Sequence, residues 1–174
     1  MNWQDKLVEA NPRLFGAPAR AYPECNEGWR ELLERCCSRI ESALQPDETL
    51  TITQIKEKYA TLRFYYDGKF SQATRQKIDN AIALAEARSA VTCEICGAEG
   101  RLYCQGAWYM TRCTAHEKGR QVPAEPDHEN LLISYGYEGG QLRVVACQRY
   151  DRASDSFTPV DPASLGLNEE KQER

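Results

Sequence analysis

Four residues in the middle of the chain have the types and spacing to hold a metal ion. Cys93, Cys96, Cys113 and His116 form the pattern Cys-x2-Cys-x16-Cys-x2-His. Thiolate and imidazole suit zinc, which takes four such ligands in a tetrahedron. Two cysteines separated by two residues can both turn inward from one tight bend. Gly97, directly after Cys96, supplies the positive-φ backbone that such a bend needs. Cys113 and His116 form a second short-spaced pair. Residues 97–112 between the pairs read as strand, turn, strand: Arg101-Leu-Tyr-Cys104, then Gln105-Gly106, then Ala107-Trp-Tyr-Met110. One hairpin there would bring the two pairs together. Ala115 to Gly119 is expected to begin a short helix carrying His116. Two pairs at this separation make a specific signal.

Four protein ligands leave no coordination position for water, so the expected cofactor is a structural zinc and no catalytic residue is assigned. The His-x-Glu and Pro-Cys-x-x-Cys combination of zinc deaminases is absent, as is the His-Glu-x-x-His helix of zinc proteases. Cys104 lies inside the segment without a close partner and reads as a hairpin packing residue. The chain has two histidines. The second, in His128-Glu129-Asn130, is the one remaining cluster on which a metal-dependent nuclease could be built.

The elements that must position the site lie on its N-terminal side. Residues 3–10 form a helix with Trp3, Leu7 and Ala10 on one face, stopped by Asn11-Pro12. Pro12, Pro18 and Pro23 make residues 11–24 an irregular connection. A longer helix starts near Asn26, a plausible N-cap. It carries Trp29, Leu32, Leu33, Cys36, Ile40, Ala43 and Leu44 at helical spacing, with Glu31 and Arg35 paired one turn apart. Cys36 is therefore a core residue, and Cys25 and Cys37 receive no role. Pro46-Asp47 ends the helix.

Residues 49–67 change to a two-residue period. Two antiparallel strands turn near Tyr59-Ala60. A two-residue primed turn favours Asn-Gly, which is absent; a four-residue loop at the same point keeps the same facing. Ile55, Leu62, Phe64 and Tyr66 then share one face. Gln54, Lys56, Lys58, Arg63 and Tyr65 share the other. Leu50 and Ile52 are out of phase with Ile55, which predicts a bulge. Lys56 and Arg63 would stand opposite each other, an unfavourable pairing of like charges. Such a basic strip with an aromatic can face nucleic-acid phosphate or an acidic protein, or be a solvated face neutralised from elsewhere. Asp67-Gly68-Lys69 leads into a helix over 71–90, with Ser71 as N-cap and Thr74, Ile78, Ala81, Ile82 and Ala85 inward. That helix runs straight into Cys93.

Residues 120–130 read as a linker. Leu131 to Tyr137 and Gln141 to Cys147 flank Glu138-Gly-Gly as a hairpin, with Cys147 a packing residue. The fold class is α+β: helix, antiparallel hairpin, helix, zinc finger and C-terminal hairpin. The expected organisation is a helix-strand-strand-helix core over 1–92, a zinc finger over 93–120 fused to it, a hairpin over 121–157, and a mobile acidic tail over 158–174.

Charge is unevenly placed. Residues 51–120 carry 11 basic and 7 acidic side chains, residues 1–50 carry 6 and 9, and residues 121–174 carry 5 and 10. The whole chain is at −4, which argues against a non-specific grip on DNA, since that affinity rests on phosphate neutralisation. No apolar run is long enough to span a membrane, so no membrane partner is expected. The first residues do not read as a signal peptide. Eight cysteines in a reducing compartment mean metal more often than disulfides, and the expected location is the cytoplasm.

The run Gln54-Ile-Lys-Glu-Lys-Tyr-Ala-Thr-Leu-Arg-Phe-Tyr-Tyr66, then Ala85-Glu-Ala-Arg-Ser89, Cys93-Glu-Ile-Cys-Gly97, Trp108 and Cys113-x-x-His116 resembles a family of small zinc-binding proteins of bacteria and their phages with no established activity. Cys25-Asn-Glu-Gly-Trp29 fits the same pattern. The resemblance covers roughly residues 22–118 and leads one to expect Gly where Ala60 stands. It implies a source and no mechanism. Three function classes follow. The first is a non-enzymatic, zinc-stabilised module that binds a protein partner, in a phage a modulator or inhibitor of a host protein. The second is a nucleic-acid binder using Lys56, Lys58, Arg63 and Tyr65 with Arg101 and Arg112. The third is the nuclease.

Overall fold

The computed structural model describes residues 1–16 and 21–167; Pro18 lies outside them. Helices and antiparallel strands are mixed, as the α+β reading requires. The chain divides into two compact units, residues 1–122 and 123–174. No helix among the described residues is long and apolar enough to cross a membrane.

The first unit begins with α1, Trp3–Ala10. Asn2 caps it: its side chain accepts from the Asp5 backbone N–H, and the Asp5 carboxylate accepts from the Asn2 N–H. This reciprocal box satisfies two backbone donors that the first turn leaves open. A single 3₁₀ turn, Glu27–Trp29, then leads into α2, Arg30–Ala43. Asn26 precedes that turn, but its side chain makes no capping bond, a departure from the expected N-cap. Its backbone N–H instead donates to Glu94 Oε1 at 3.2 Å, so a tertiary contact replaces the local one.

Strands β1, Thr49–Lys58, and β2, Thr61–Lys69, pair antiparallel, with the register slipping between Ile52 and Gln54. That bulge lets Leu50, Ile52 and Ile55 all reach the core despite their odd phase. The connection is a two-residue turn, since Lys58 pairs with Thr61. Tyr59 and Ala60 both hold positive φ, 53° and 66°. This is the primed-turn backbone without the Asn-Gly that normally supplies it. One local and one tertiary bond hold it: the Ala60 N–H donates to Glu57 Oε1, and the Ala60 carbonyl accepts from Thr111.

Helix α3, Gln72–Ser89, is capped by the Ser71 hydroxyl, which accepts from the Thr74 N–H. Thr74, Ile78, Ala81, Ile82 and Ala85 are buried as the spacing predicts. α2 packs against α3, and α3 against β2. The core between them holds Trp29, Leu33, Cys36, Ile40, Ile55, Leu62, Phe64 and Ile78. Burial pushes the Cys37 thiol up to about 12 and the Cys36 thiol well above its ordinary value, so both act as apolar packing groups.

Past α3 come β3, Arg101–Gln105, and β4, Trp108–Arg112. They form the hairpin expected between the two ligand pairs. A third strand, β5, Arg120–Gln121, pairs with β3 where only linker was expected. It is two residues long and carries no periodicity to read.

The second unit is a three-stranded sheet of β6, Leu131–Glu138, β7, Gln141–Asp151, and β8, Ser156–Pro159, in that order. Gly139-Gly140 makes the turn. Cys147 is buried, and Tyr150 donates from its hydroxyl to Asp155. Where a mobile tail was expected from residue 158, Ser156–Pro159 pairs with β7 and Pro162–Leu165 forms a 3₁₀ turn capped by Asp161. Residues 168–174 lie outside the described residues.

Candidate metal centre

The first ligand pair sits where α3 ends. Val91 and Thr92 leave the helix, and Cys93 begins a tight turn in which the Gly97 N–H donates to the Cys93 carbonyl at 2.9 Å and the Cys93 N–H to the Ala98 carbonyl at 2.8 Å. Gly97 takes φ +78°, the left-handed backbone that the motif predicts at this position. The second pair follows β4 directly. The His116 N–H donates to the Cys113 carbonyl at 3.0 Å, so this pair is held by a single turn and the short helix expected over 115–119 is not formed.

The four side chains converge. One ligand atom from each of Cys93, Cys96, Cys113 and His116 lies within 4.8 Å of every other. Cys96 Sγ lies 3.6 Å from Cys113 Sγ, Cys93 Sγ 3.7 Å from His116 Nδ1, and Cys113 Sγ 3.3 Å from His116 Nδ1. A tetrahedral ion with sulfur at ~2.3 Å and nitrogen at ~2.0 Å sets its ligands ~3.8 Å apart between sulfurs and ~3.5 Å between sulfur and nitrogen. The observed edges match those lengths, and Nδ1 is the nitrogen turned inward. The cluster can therefore hold a metal ion. Burial pushes the Cys93 thiol up, but bonds from the backbone of Cys113, Cys96 and Ile95 outweigh it and bring it down to about 6. A thiol in that environment ionises readily, as a metal ligand must.

Three parts of the core hold the two turns in place. The first is the segment Cys25–Trp29. The Gly28 N–H donates to the Glu94 carbonyl at 2.9 Å, and Trp29 Nε1 donates to the Thr92 carbonyl at 3.0 Å. Gly28 lies so close that a Cβ there would come within 2.3 Å of the Cys93 carbonyl oxygen and 2.5 Å of that of Glu94. No other residue fits. The second is the β1–β2 turn. Thr111, fully buried on β4, donates to the Ala60 carbonyl at 2.8 Å, and the Glu94 N–H donates to the Thr111 carbonyl. The third is the end of α3, where the Ser89 hydroxyl accepts from the Leu62 N–H at 2.8 Å. Nothing local marks Cys25–Trp29 as a docking segment, because its partners Thr92 and Glu94 lie far along the chain.

Beside the turns, Glu94 and Arg112 form an ion pair at 3.2 Å with side chains only 10 % and 13 % exposed. Arg112 is thus half-buried and ion-paired within the unit. Arg101 pairs with Glu99 in solvent at 3.4 Å. Arg63 donates to Thr61 Oγ1 and to the Leu62 carbonyl. Lys56 stands opposite Arg63 in register, as expected, and lies over the Tyr65 ring. Lys58 lies over the Tyr59 ring.

The remaining sulfurs stay outside the cluster. Cys104 accepts from Arg120. Burial and the Glu94 carboxylate push the Cys25 thiol up to about 12, which keeps it protonated. His128 contacts the Pro126 carbonyl through Nδ1. Among the described residues the four-residue cluster is the one group of metal-ligating side chains that can hold an ion, and neither His128 nor Glu129 joins another. No family model, no curated protein and no solved structure matches this chain.

Proposed function

We propose that this chain is a non-enzymatic binding module whose first unit is stapled by a structural zinc ion and whose partner is a protein. The observation that carries the metal half is the closed set of four convergent ligands, Cys93, Cys96, Cys113 and His116. Three thiolates and one imidazole favour zinc over harder ions, and with all four in place no position is left for a substrate or an activated water. The ion's task is then mechanical. It ties the end of α3 to the end of β4, and through Gly28, Trp29 and Thr111 it ties both to α2 and the β1–β2 turn.

The protein partner is supported by what the scaffold leaves on its surface. Tyr59, Tyr65, Trp108 and Tyr109 are exposed on the first unit, and aromatic side chains of this kind are favoured anchors in protein interfaces. The resemblance to small proteins of bacteria and their phages fits a modulator or inhibitor of a host protein. The test is retention of one defined protein from nuclease-treated bacterial extract by zinc-loaded chain. Retention that disappears with Cys96→Ser supports the reading; no protein retained in repeated trials refutes it.

A further inference from the structure

The core side of the β1–β2 hairpin is buried; on its other side Lys58 and Tyr65 are exposed and Gln54, Lys56, Thr61 and Arg63 are half-buried. On that side Lys56 and Arg63 stand directly opposite each other, with Gln54 and Tyr65 to one side and Lys58 and Thr61 to the other. Like charges opposed across a sheet cost stability. Glu57 lies between the two lysines on β1 but accepts from the Ala60 N–H, the Glu86 carboxylate of α3 interacts with the Arg63 charge, and the Glu24 backbone runs beside Lys56; among the described residues neither Lys56 nor Lys58 ion-pairs with a carboxylate. Each ammonium instead rests on a tyrosine ring, 5.7 Å from the centre of Tyr65 and 5.3 Å from that of Tyr59. Both rings are solvent-exposed, at 46 % and 69 %.

We infer that this face is where the protein partner docks, and that the partner presents an extended acidic segment with carboxylates at alternate positions. The inference rests on the binding-module reading and specifies its surface. Side chains two residues apart on a strand repeat every ~7 Å on one face, so Lys56 and Lys58 offer two ammoniums at that spacing. An extended Glu-x-Glu or Asp-x-Asp segment presents its carboxylates at the same repeat. The tyrosines beside the lysines add flat apolar area for the segment's own side chains. Nucleic acid fits less well. Its affinity grows with the number of phosphates neutralised, which two lysines keep small, and the chain as a whole is at −4.

The experiment uses the zinc-loaded full chain and three labelled probes read by fluorescence anisotropy. These are a short peptide alternating Glu and Thr, the same peptide with Gln for Glu, and oligothymidylate of equal charge to the first. The Glu peptide is expected to bind about tenfold more tightly than the Gln peptide, to weaken as salt rises from about 50 to about 300 mM, and to lose about tenfold with Lys56→Gln/Lys58→Gln. Both lysines are at the surface, and circular dichroism establishes that the variant is folded. Equal binding of the two peptides, or no loss in the variant, overturns the inference. Oligothymidylate binding more tightly than the Glu peptide, with loss in the same variant, overturns it in favour of nucleic acid. Should an extract partner be retained equally by wild type and Lys56→Gln/Lys58→Gln, the module stands and this face is removed from it.

Discussion

Gly28 is where the account of the metal centre is most exposed to refutation. Its backbone does not hold positive φ, so alanine meets no conformational penalty there; the obstacle is space. A Cβ would lie 2.3 Å from the Cys93 carbonyl oxygen and 2.6 Å from the Glu94 carbonyl carbon. These are backbone atoms held by the turn itself, so the Cys25–Trp29 segment must move away. Moving it breaks the Gly28–Glu94, Trp29–Thr92 and Asn26–Glu94 hydrogen bonds. Each is worth ~1 kcal/mol net, and more where a buried partner is left unpaired. Gly28→Ala is therefore expected to cost about 3–5 kcal/mol, against total stabilities of ~5–15 kcal/mol for domains generally. At about 4 °C per kcal/mol for a unit of this size, the melting midpoint falls by about 12–20 °C. The assay is thermal unfolding of zinc-loaded chain followed by circular dichroism and tryptophan fluorescence, with zinc content measured in parallel. Glu27→Ala, one residue away and exposed, is the control and should shift stability by no more than ~0.5 kcal/mol. Unfolding of Gly28→Ala within ~1 kcal/mol of wild type would refute the proposed docking of α2 on the metal turn.

Further consequences are open to measurement. Ala60→Gly relieves a positive-φ strain of about 1–3 kcal/mol but loses a buried methyl worth about 0.8 kcal/mol, so it should change stability by no more than about 2 kcal/mol in denaturant titration; a loss above about 2 kcal/mol would mean that the turn is not held as described. Glu94→Gln breaks the half-hidden pair with Arg112 and should cost about 3 kcal/mol; a cost below ~1 kcal/mol would show the pair to be solvent-like. The Gln45 and Ser71 backbone N–H groups hold the Glu48 carboxyl down to about 2. A lowered folded value stabilises above the ordinary carboxylate range and is lost as pH falls through the folded value. Between roughly pH 4.5 and 2, stability should therefore decline with a Glu48-dependent slope, and Glu48→Gln should flatten it; an unchanged slope would contradict the two backbone bonds to its carboxylate. Ending the chain after Val122 should leave a unit that keeps its metal and unfolds in one transition, and loss of metal from that fragment would show that the second unit is required.

What the sequence disclosed was the locally encoded part. Ser71 caps α3 because its hydroxyl reaches a backbone donor three residues on, and Cys36 and Ile40 announce their burial by helical period. The bulge between Ile52 and Gln54 follows from a phase error visible in the letters. The four ligands were legible because zinc geometry restricts both residue type and spacing. What escaped was long-range. Asn26 looks like a cap, yet its N–H is claimed by Glu94, 68 residues away. Gly28 looks like any loop glycine until the Cys93 and Glu94 carbonyls are beside it. Tyr59-Ala60 lacks the residues of a primed turn because Thr111 supplies the constraint from β4. Arg63 and Arg112 resemble surface cations in a list of charges, but their guanidinium groups are spent on carbonyl, hydroxyl and carboxylate inside the unit. Strands β5 and β8, two and four residues long, are too short for any period to declare them.

The central claim is a closed four-ligand zinc site, and its most direct test is X-ray absorption at the zinc edge on metal-loaded chain, with metal content measured on the same sample. The account predicts one zinc per chain, with a shell of three sulfurs at ~2.3 Å and one nitrogen at ~2.0 Å, and loss of both metal and cooperative unfolding in Cys96→Ser. A chain that folds and unfolds cooperatively without metal, or a shell in which an oxygen at ~2.0 Å takes the place of one of the four side chains, would contradict it.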